Sequence, residues 1–358
     1  MSLNDFKVCV FANTEIEFWK NEFSFEVILK EGNYIERLSS VISQGRCPIV
    51  QVYSIREIQE LSGVFPDKSL ILHLNSDEVL DPKLNLCALR LKSTRAILRS
   101  YPTNIQIMNF SFLDFTSSIF NSILLSSWSS AFQNIKLWCH GLILTKRKIQ
   151  ISLYHKIFMK KVINVHLGYT DFFYANFLDR FGGERDESVF KISNDVLKEK
   201  KVFKMSFVGQ KGNSFRNEMA KSIEKFDNTY SKLREKFGGT LGINGTTKQM
   251  GHDYVEAMSK SLLALCPPGN YSGITFRYAE ALACGAIPVE FFHPPTDPFF
   301  SRKLSYSIKV PFKFRLAPRI KAAQETLISE HKKIFRTELH SFLDDLQIAR
   351  RKILDAVE

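Results

Sequence analysis

The sequence predicts an α/β protein built as two domains in tandem, each a mostly parallel sheet with crossover helices. Three observations carry this. Short apolar runs alternate with helical patterns through the first hundred residues, a polar and charged stretch occupies 175–203, and a second alternation starts at 204. Strands that alternate with helices pair in parallel, because each crossover returns the chain to the same end of the sheet. A length of 358 residues fits two such units.

Taken in order, KVCVFA (7–12), FEVIL (25–29), PIVQVYS (48–54), SLILHL (69–74) and RAILRS (95–100) read as strands. Helical patterns at 35–44 and 54–62 separate some of them. The zone 104–160 is weaker and contains FNSILLSSW and a basic stretch. VINVHLG (162–168) reads as one more strand, and 175–203 as a linker. In the second half KMSFVGQ (204–210) is a strand and SFRNEMAKSIEKF (214–226) a helix. TLGING (240–245) is a strand and turn, and DYVEAMSKS (253–261) a helix leading into the strand LLALC. A loop, a helix and the strand AIPVEF follow, and YSIKVPF (306–312) is a last short strand. From Pro318 the tail reads as one long helix. Phe335, Leu339, Phe342, Leu346, Ala349 and Ile353 form an apolar stripe at 4-3-4-3-4 spacing. The stripe suits packing along the chain's own domains, with a homodimer through this helix as the alternative.

The net charge of +12 favours anionic partners such as nucleotide phosphates, nucleic acid or an acidic membrane face. Cys9, Cys47, Cys87, Cys139, Cys266 and Cys284 are scattered without a CxxC pair, which argues against a disulfide framework or a zinc site. The opening MSLNDFKVCVFA does not read as a signal peptide, and no apolar run reaches the ~18 residues of a membrane span. The expectation is a cytoplasmic protein, with peripheral contact at an inner membrane face as an option. GxxxxGK[ST], HExxH, DxD and GxSxG are all absent from the sequence, so no metal is expected.

The most informative stretch is CPPGNYSGITFRYAEALACGAIPVEF (266–291), a strand, loop, helix and strand in succession. Ligands of open α/β sheets bind beyond the carboxyl ends of the strands, where helix N-termini offer unpaired N–H groups to phosphate. Here Pro268, Gly269, Asn270, Ser272, Gly273 and Thr275 would form the loop, and Arg277 would reach the anion. Glu280 would accept from ribose hydroxyls or hold Arg277; a buried Arg277–Glu280 ion pair with no ligand fits the spacing equally well. A second such unit, SFVGQKGNSFRNEM (206–219), supplies Gly209, Lys211 and Arg216, the arginine in a first helical turn where a cation opposes the dipole. In the first half, LHLNSDE (72–78) brings His73, Asp77 and Glu78 to a strand end, and paired acids there can supply a general base. RAILRSYP (95–102) adds Arg99 and Tyr101 to the same rim. HLGYTDFF (166–173) adds His166, Tyr169 and Asp171 at the passage between the halves.

The order S-F-V-G, F-R-N-E-M, Y-V-E-A-M-S-K-S-L-L-A-L-C-P-P-G and F-R-Y-A-E-A-L-A-C-G-A-I-P-V resembles the exostosin-like glycosyltransferases. The upstream H-L-N-S-D-E, R-A-I-L-R-S-Y-P and V-H-L-G-Y-T-D are similar to the ribitol-xylosyltransferase-like branch; together the motifs span roughly 69–291. The resemblance implies a GT-B fold, with two Rossmann-like domains facing a cleft and a C-terminal helix packing back toward the first. Residues 1–170 would form the acceptor side, 171–315 the nucleotide-sugar donor domain and 316–358 the helical segment. It implies a nucleotide sugar, UDP-linked by preference, as donor, with Arg216, the Ser272 loop, Arg277 and Glu280 around its diphosphate and ribose. The acceptor hydroxyl would belong to a glycan, polyol-phosphate or lipid-linked molecule in surface polysaccharide synthesis, and transfer would be inverting and independent of metal or cofactor. Glu78 or Asp77 would then be the base, the other orienting it; in a retaining enzyme both become binding groups. A fucosyltransferase-like GT-B enzyme using a GDP-sugar is the rival within the fold. A nucleic-acid-binding protein using Lys146, Arg147, Lys148, Lys156, Lys160 and Lys161 is the rival of another class.

Overall fold

The computed structural model describes residues 7–74, 81–100, 149–158, 161–184, 186–210, 214–234, 248–267, 276–292, 307–309 and 316–358, with the single positions 139, 143, 146 and 147. Two parallel sheets organise these residues. The first contains β1 (Val8–Ala12), β2 (Glu26–Leu29), β3 (Cys47–Val52), β4 (Leu70–Leu74), β5 (Thr94–Arg99) and β6 (Lys161–Asn164), in the order β2-β1-β3-β4-β5-β6. The second contains β7 (Phe203–Gln210), β8 (Thr229–Arg234), β9 (Ser261–Cys266), β10 (Ile287–Phe292) and β11 (Ser307–Lys309), in the order β11-β10-β9-β7-β8. Every pairing is parallel. Central strands such as β1, β3 and β4 are buried along their whole length, as their continuous apolar runs require when both faces are covered.

The helices are α1 (Ile16–Phe23), α2 (Tyr34–Ser43), α3 (Ile55–Glu60), α4 (Pro82–Arg90), α5 (149–158), α6 (Asp171–Phe181), α7 (Val189–Val196), α8 (Ser214–Ile223), α9 (Lys248–Ser259), α10 (Arg277–Ala283), α11 (Leu316–Ser329) and α12 (His331–Val357). Local chemistry explains several starts and stops. Ser54 caps α3 by accepting from Glu57 N (3.3 Å), and Glu57 Oε1 accepts in return from Tyr53 N (3.3 Å), the residue before the cap. Asp81 caps α4 with Pro82 in the first turn. Behind α10, Gly285 takes φ 68°, the left-handed turn that lets the chain leave the helix and enter β10.

Side chains on one face of the first sheet, including Cys9, Phe11, Val50, Leu72 and Ile97, pack with residues of α2 to α5. The other face joins a larger cluster that also holds Met205, Phe207, Leu263, Ile287 and Val289 of the second sheet. The two sheets therefore share a core. The C-terminal helix α12 seals it. His331 Nε2 lies 2.9 Å from the Leu262 carbonyl of β9, while Arg350 Nε donates to the Phe23 carbonyl (2.9 Å) and Arg95 of β5 donates to the carbonyls of Ala356 and Val357. Twenty-seven residues at ~1.5 Å rise make this helix ~40 Å long. The whole stripe from Phe335 to Ile353 is buried within the chain.

Three expectations need correction. The stretch 175–203 is no simple linker: α6 and α7 occupy much of it, because Phe173, Phe177 and Phe181 recur every fourth residue and pack as one aromatic row. The tail is two helices, α11 and α12, broken at Glu330. Helices α1 and α4 and strand β8 are additional elements. Helix α1 is too short for a clear period, and β8 (TYSKLR) has one apolar aliphatic residue. TLGING and most of 104–160 lie outside the described residues.

Candidate functional site

Both sheets have the same winding. Counting strands within each, the order is 2-1-3-4-5, with a sixth strand in the first sheet. The chain winds outward in both directions from the gap between the first and third strands. Crossovers leave on opposite faces there, and the carboxyl edge opens into a crevice that suits a ligand. The gaps are β1/β3 in the first sheet and β7/β9 in the second.

At the β1/β3 edge a polar cluster stands on apolar strands. Gln51 is fully buried in β3. Its Oε1 accepts from the Tyr53 hydroxyl (2.7 Å) and from Asn13 N (3.3 Å), and its Nε2 donates to Glu15 Oε2 (3.3 Å). The hydroxyls of Thr14 and Tyr53 are 2.7 Å apart. Glu15 is buried with φ 58°, a left-handed conformation that costs an ordinary residue on the order of 1 kcal/mol. Burial pushes the Tyr53 phenol well above its ordinary range. The sequence reading missed this cluster. Its legible signal was a glutamine inside the otherwise apolar PIVQVYS.

At the β7/β9 edge the charge is positive. Helix α8 follows β7 and carries Arg216, half-buried, in its first turn; α10 follows β9 and begins with Arg277, also half-buried. Adjacent parallel strands thus bring both arginines to one sheet edge. Among the described residues Arg277 makes no hydrogen bond or ion pair, and its Nε is buried without a partner. Its neighbour Glu280 is used differently. It is 3% exposed, its Oε1 accepts from Thr170 N (3.3 Å) and Thr170 Oγ1 (3.0 Å), and its Oε2 accepts from the Tyr254 hydroxyl (2.6 Å). Burial raises the Glu280 carboxyl above its ordinary range, against these hydrogen bonds and the nearby Arg277 charge. The two residues therefore do not form a closed ion pair.

The passage from Gly168 to Asp171 ties the two edges together. Gly168 N donates to Glu15 Oε1 (3.0 Å), Thr170 donates to Glu280, and Asp171 Oδ1 accepts from Glu17 N (3.0 Å). Gly168 is required here, since a Cβ would overlap the Phe18 ring. Asp171 is held above the ordinary carboxylate range by burial.

The remaining expected positions divide three ways. Gly209 is the next-to-last residue of β7, where a Cβ would overlap the Phe207 ring. Four residues expected on the acceptor side are packed inside. His73 is almost fully buried, 3.2 Å from Ser100 Oγ, with its ring edge on Trp19, and burial lowers its pKa to about 3. Tyr169 is buried among Phe18, Phe173, Tyr174 and Phe190, its hydroxyl donating to Glu22 Oε1 (3.0 Å). His166 sits against Phe342, 3.2 Å from Asp345 of α12. Arg99, the last residue of β5, is fully buried, and burial lowers it to about 9. Asp77, Glu78, Tyr101, Lys211, Pro268, Gly269, Asn270, Ser272, Gly273 and Thr275 lie outside the described residues. Among the described residues no three His, Cys, Asp or Glu side chains converge as a metal would require.

No family model matches the chain, and no curated protein matches it. No described helix is long and apolar enough to cross a membrane.

Proposed function

We propose that the chain is a glycosyltransferase of GT-B architecture that moves a sugar from a nucleoside diphosphate sugar, UDP-linked by preference, to a hydroxyl of a glycan, polyol-phosphate or lipid-linked acceptor. The observation that carries the reading is the division of labour in α10. Glu280 is spent on Thr170 and Tyr254, while Arg277, at the edge that also holds Arg216, has no hydrogen-bond partner among the described residues. A cation left without a protein partner invites an anion, and charge-assisted hydrogen bonds to phosphate contribute about 1.5–3 kcal/mol each. The motif resemblance supplies the donor class.

In this reading the diphosphate lies over the β7/β9 edge and the acceptor over the β1/β3 edge, before Thr14, Gln51 and Tyr53. The acceptor oxygen attacks the anomeric carbon as the bond to the diphosphate breaks. Negative charge grows on the leaving diphosphate, where preorganised arginines stabilise the transition state without needing to reorient. The acceptor proton passes to Asp77 or Glu78, which follow β4 in the chain. Glu280 positions α10 through Thr170 rather than meeting the ribose directly.

A thermal-shift panel of UDP-, GDP- and CMP-linked sugars tests the class. One UDP-sugar at about 100 times its Kd stabilises the fold by ~2.7 kcal/mol, several degrees of Tm. A response to GDP-sugars alone moves the assignment to the fucosyltransferase-like alternative. No response to any nucleotide, with steep salt-dependent binding of DNA or RNA, replaces it with the nucleic-acid reading. The anomeric configuration of the product decides between inversion and retention, and full turnover by both Asp77→Asn and Glu78→Gln removes them as bases.

A further inference from the structure

We infer that the outer face of α5, with the residues that lead into it, is a docking surface for an anionic lipid bilayer. The inference stands apart from the donor-site reading. Helix α5 precedes β6, the edge strand of the first sheet, and is apolar on two sides. Its inner side is accounted for: Ile151 is fully buried, and Tyr154 and Phe158 pack on the cluster beneath α2 to α4. Its outer side is not. Ile149 is 41% exposed, Leu153 52% and Ile157 68%, at i, i+4, i+8 spacing that stacks them into one stripe. Ile143, 51% exposed, precedes them. These four are half of the large hydrophobic side chains exposed among the described residues, gathered into fifteen positions. Single exposed aliphatics are ordinary, but a row of them on one helix marks an interaction face.

Charge selects the occupant. At ~100° per residue Lys156 flanks Ile149 on the helix, and Lys146 comes shortly before it in the chain; both lysines are exposed. Lys161 is exposed at the start of β6, and Lys148 and Lys160 add to the charge of the segment. An interfacial helix has this composition: aliphatic side chains enter the acyl boundary while lysines reach back to anionic headgroups. A second copy would bring lysine against lysine on a chain of net charge +12. A nucleic acid would have to cover an aliphatic stripe that offers neither hydrogen bonds nor a stacking ring.

The test is flotation of the full chain with vesicles of phosphatidylcholine, with and without 30 mol% phosphatidylglycerol. The expected result is binding to the anionic vesicles only, weakened by salt. Leu153→Asn/Ile157→Asn should reduce it by about tenfold, and Lys146→Gln/Lys156→Gln by roughly fivefold per lysine. Both pairs are exposed, and unchanged melting curves will show that the fold is kept; the lysine pair keeps the test decisive if the asparagine pair misfolds. Equal binding by wild type and either folded variant, equal binding to neutral vesicles, or no binding at all would overturn the inference. So would a wild-type dimer in solution that Leu153→Asn/Ile157→Asn dissociates.

Discussion

The two switch-point edges share a topology and differ in how their polar groups are used. At β1/β3 the side chains satisfy one another: Tyr53 donates to Gln51, Gln51 donates to Glu15, and Glu15 accepts from Gly168. At β7/β9 the carboxylate of Glu280 is satisfied by Thr170 and Tyr254, while the cation Arg277 finds no partner among the described residues. The same winding thus yields an edge whose carboxylate and amide are tied into a hydrogen-bonded network and an edge that carries two arginines. A donor whose diphosphate carries the charge and an acceptor that offers hydroxyls fit those two edges respectively. The difference shows that one winding can present two edges of different side-chain chemistry; on the proposed reading, that chemistry selects the ligand.

The largest expected effect comes from breaking the joint. Glu280→Ala strands the Tyr254 hydroxyl and both Thr170 donors, and should cost about 2–4 kcal/mol, a Tm drop of roughly 5–15 °C in a melting curve. Glu280→Gln keeps an acceptor for Thr170 and should lose far less. Next, Arg277→Ala should leave the Tm of the unliganded protein within ~2 °C. It should weaken nucleotide binding by about 10- to 150-fold in calorimetry, the equivalent of one charge-assisted hydrogen bond. That split sharpens the contrast between an anion that holds the fold and a cation that holds the ligand.

Gln51→Leu breaks the hydrogen-bonded β1/β3 edge. It should cost about 1–2 kcal/mol in denaturant unfolding, and it should raise the acceptor KM while leaving the nucleotide Kd unchanged. A change in nucleotide affinity of the same size would erase the division between the edges. The smallest effect concerns Glu22, which accepts from Tyr169 (3.0 Å) and from Ser188 Oγ (2.9 Å) and is pushed by burial from 4.5 to about 7. Its folded pKa lies above its unfolded one, so the folded chain holds the proton more tightly. Its contribution to stability is full below about 4.5 and lost as pH rises through about 7. Glu22→Gln should therefore melt close to wild type at pH 4.5 and a few degrees above it at pH 8.

Much of the fold was legible because a parallel sheet buries both faces of its strands. KVCVFA, SLILHL and LLALC are dominated by apolar residues and became β1, β4 and β9. The site was legible only in part. FRYAEALACG announced a helix with a charged start and a glycine exit, and α10 with Gly285 has both. Whether Arg277 and Glu280 join each other depends on Thr170 and Tyr254, which lie 110 and 26 residues away along the chain. His73 and His166 read as rim residues because strand ends and rims look alike in one dimension. Trp19 and Phe342, which enclose them, come from α1 and α12. The β1/β3 cluster escaped notice because a single glutamine in an apolar strand carries no period.

Calorimetric titration of UDP into wild type, Arg277→Ala and Glu280→Gln tests the division of labour in α10 most directly. Wild type should bind, Glu280→Gln should bind within about threefold of it, and Arg277→Ala should bind at least tenfold more weakly. Equal binding by wild type and Arg277→Ala, or a loss confined to Glu280→Gln, would contradict it.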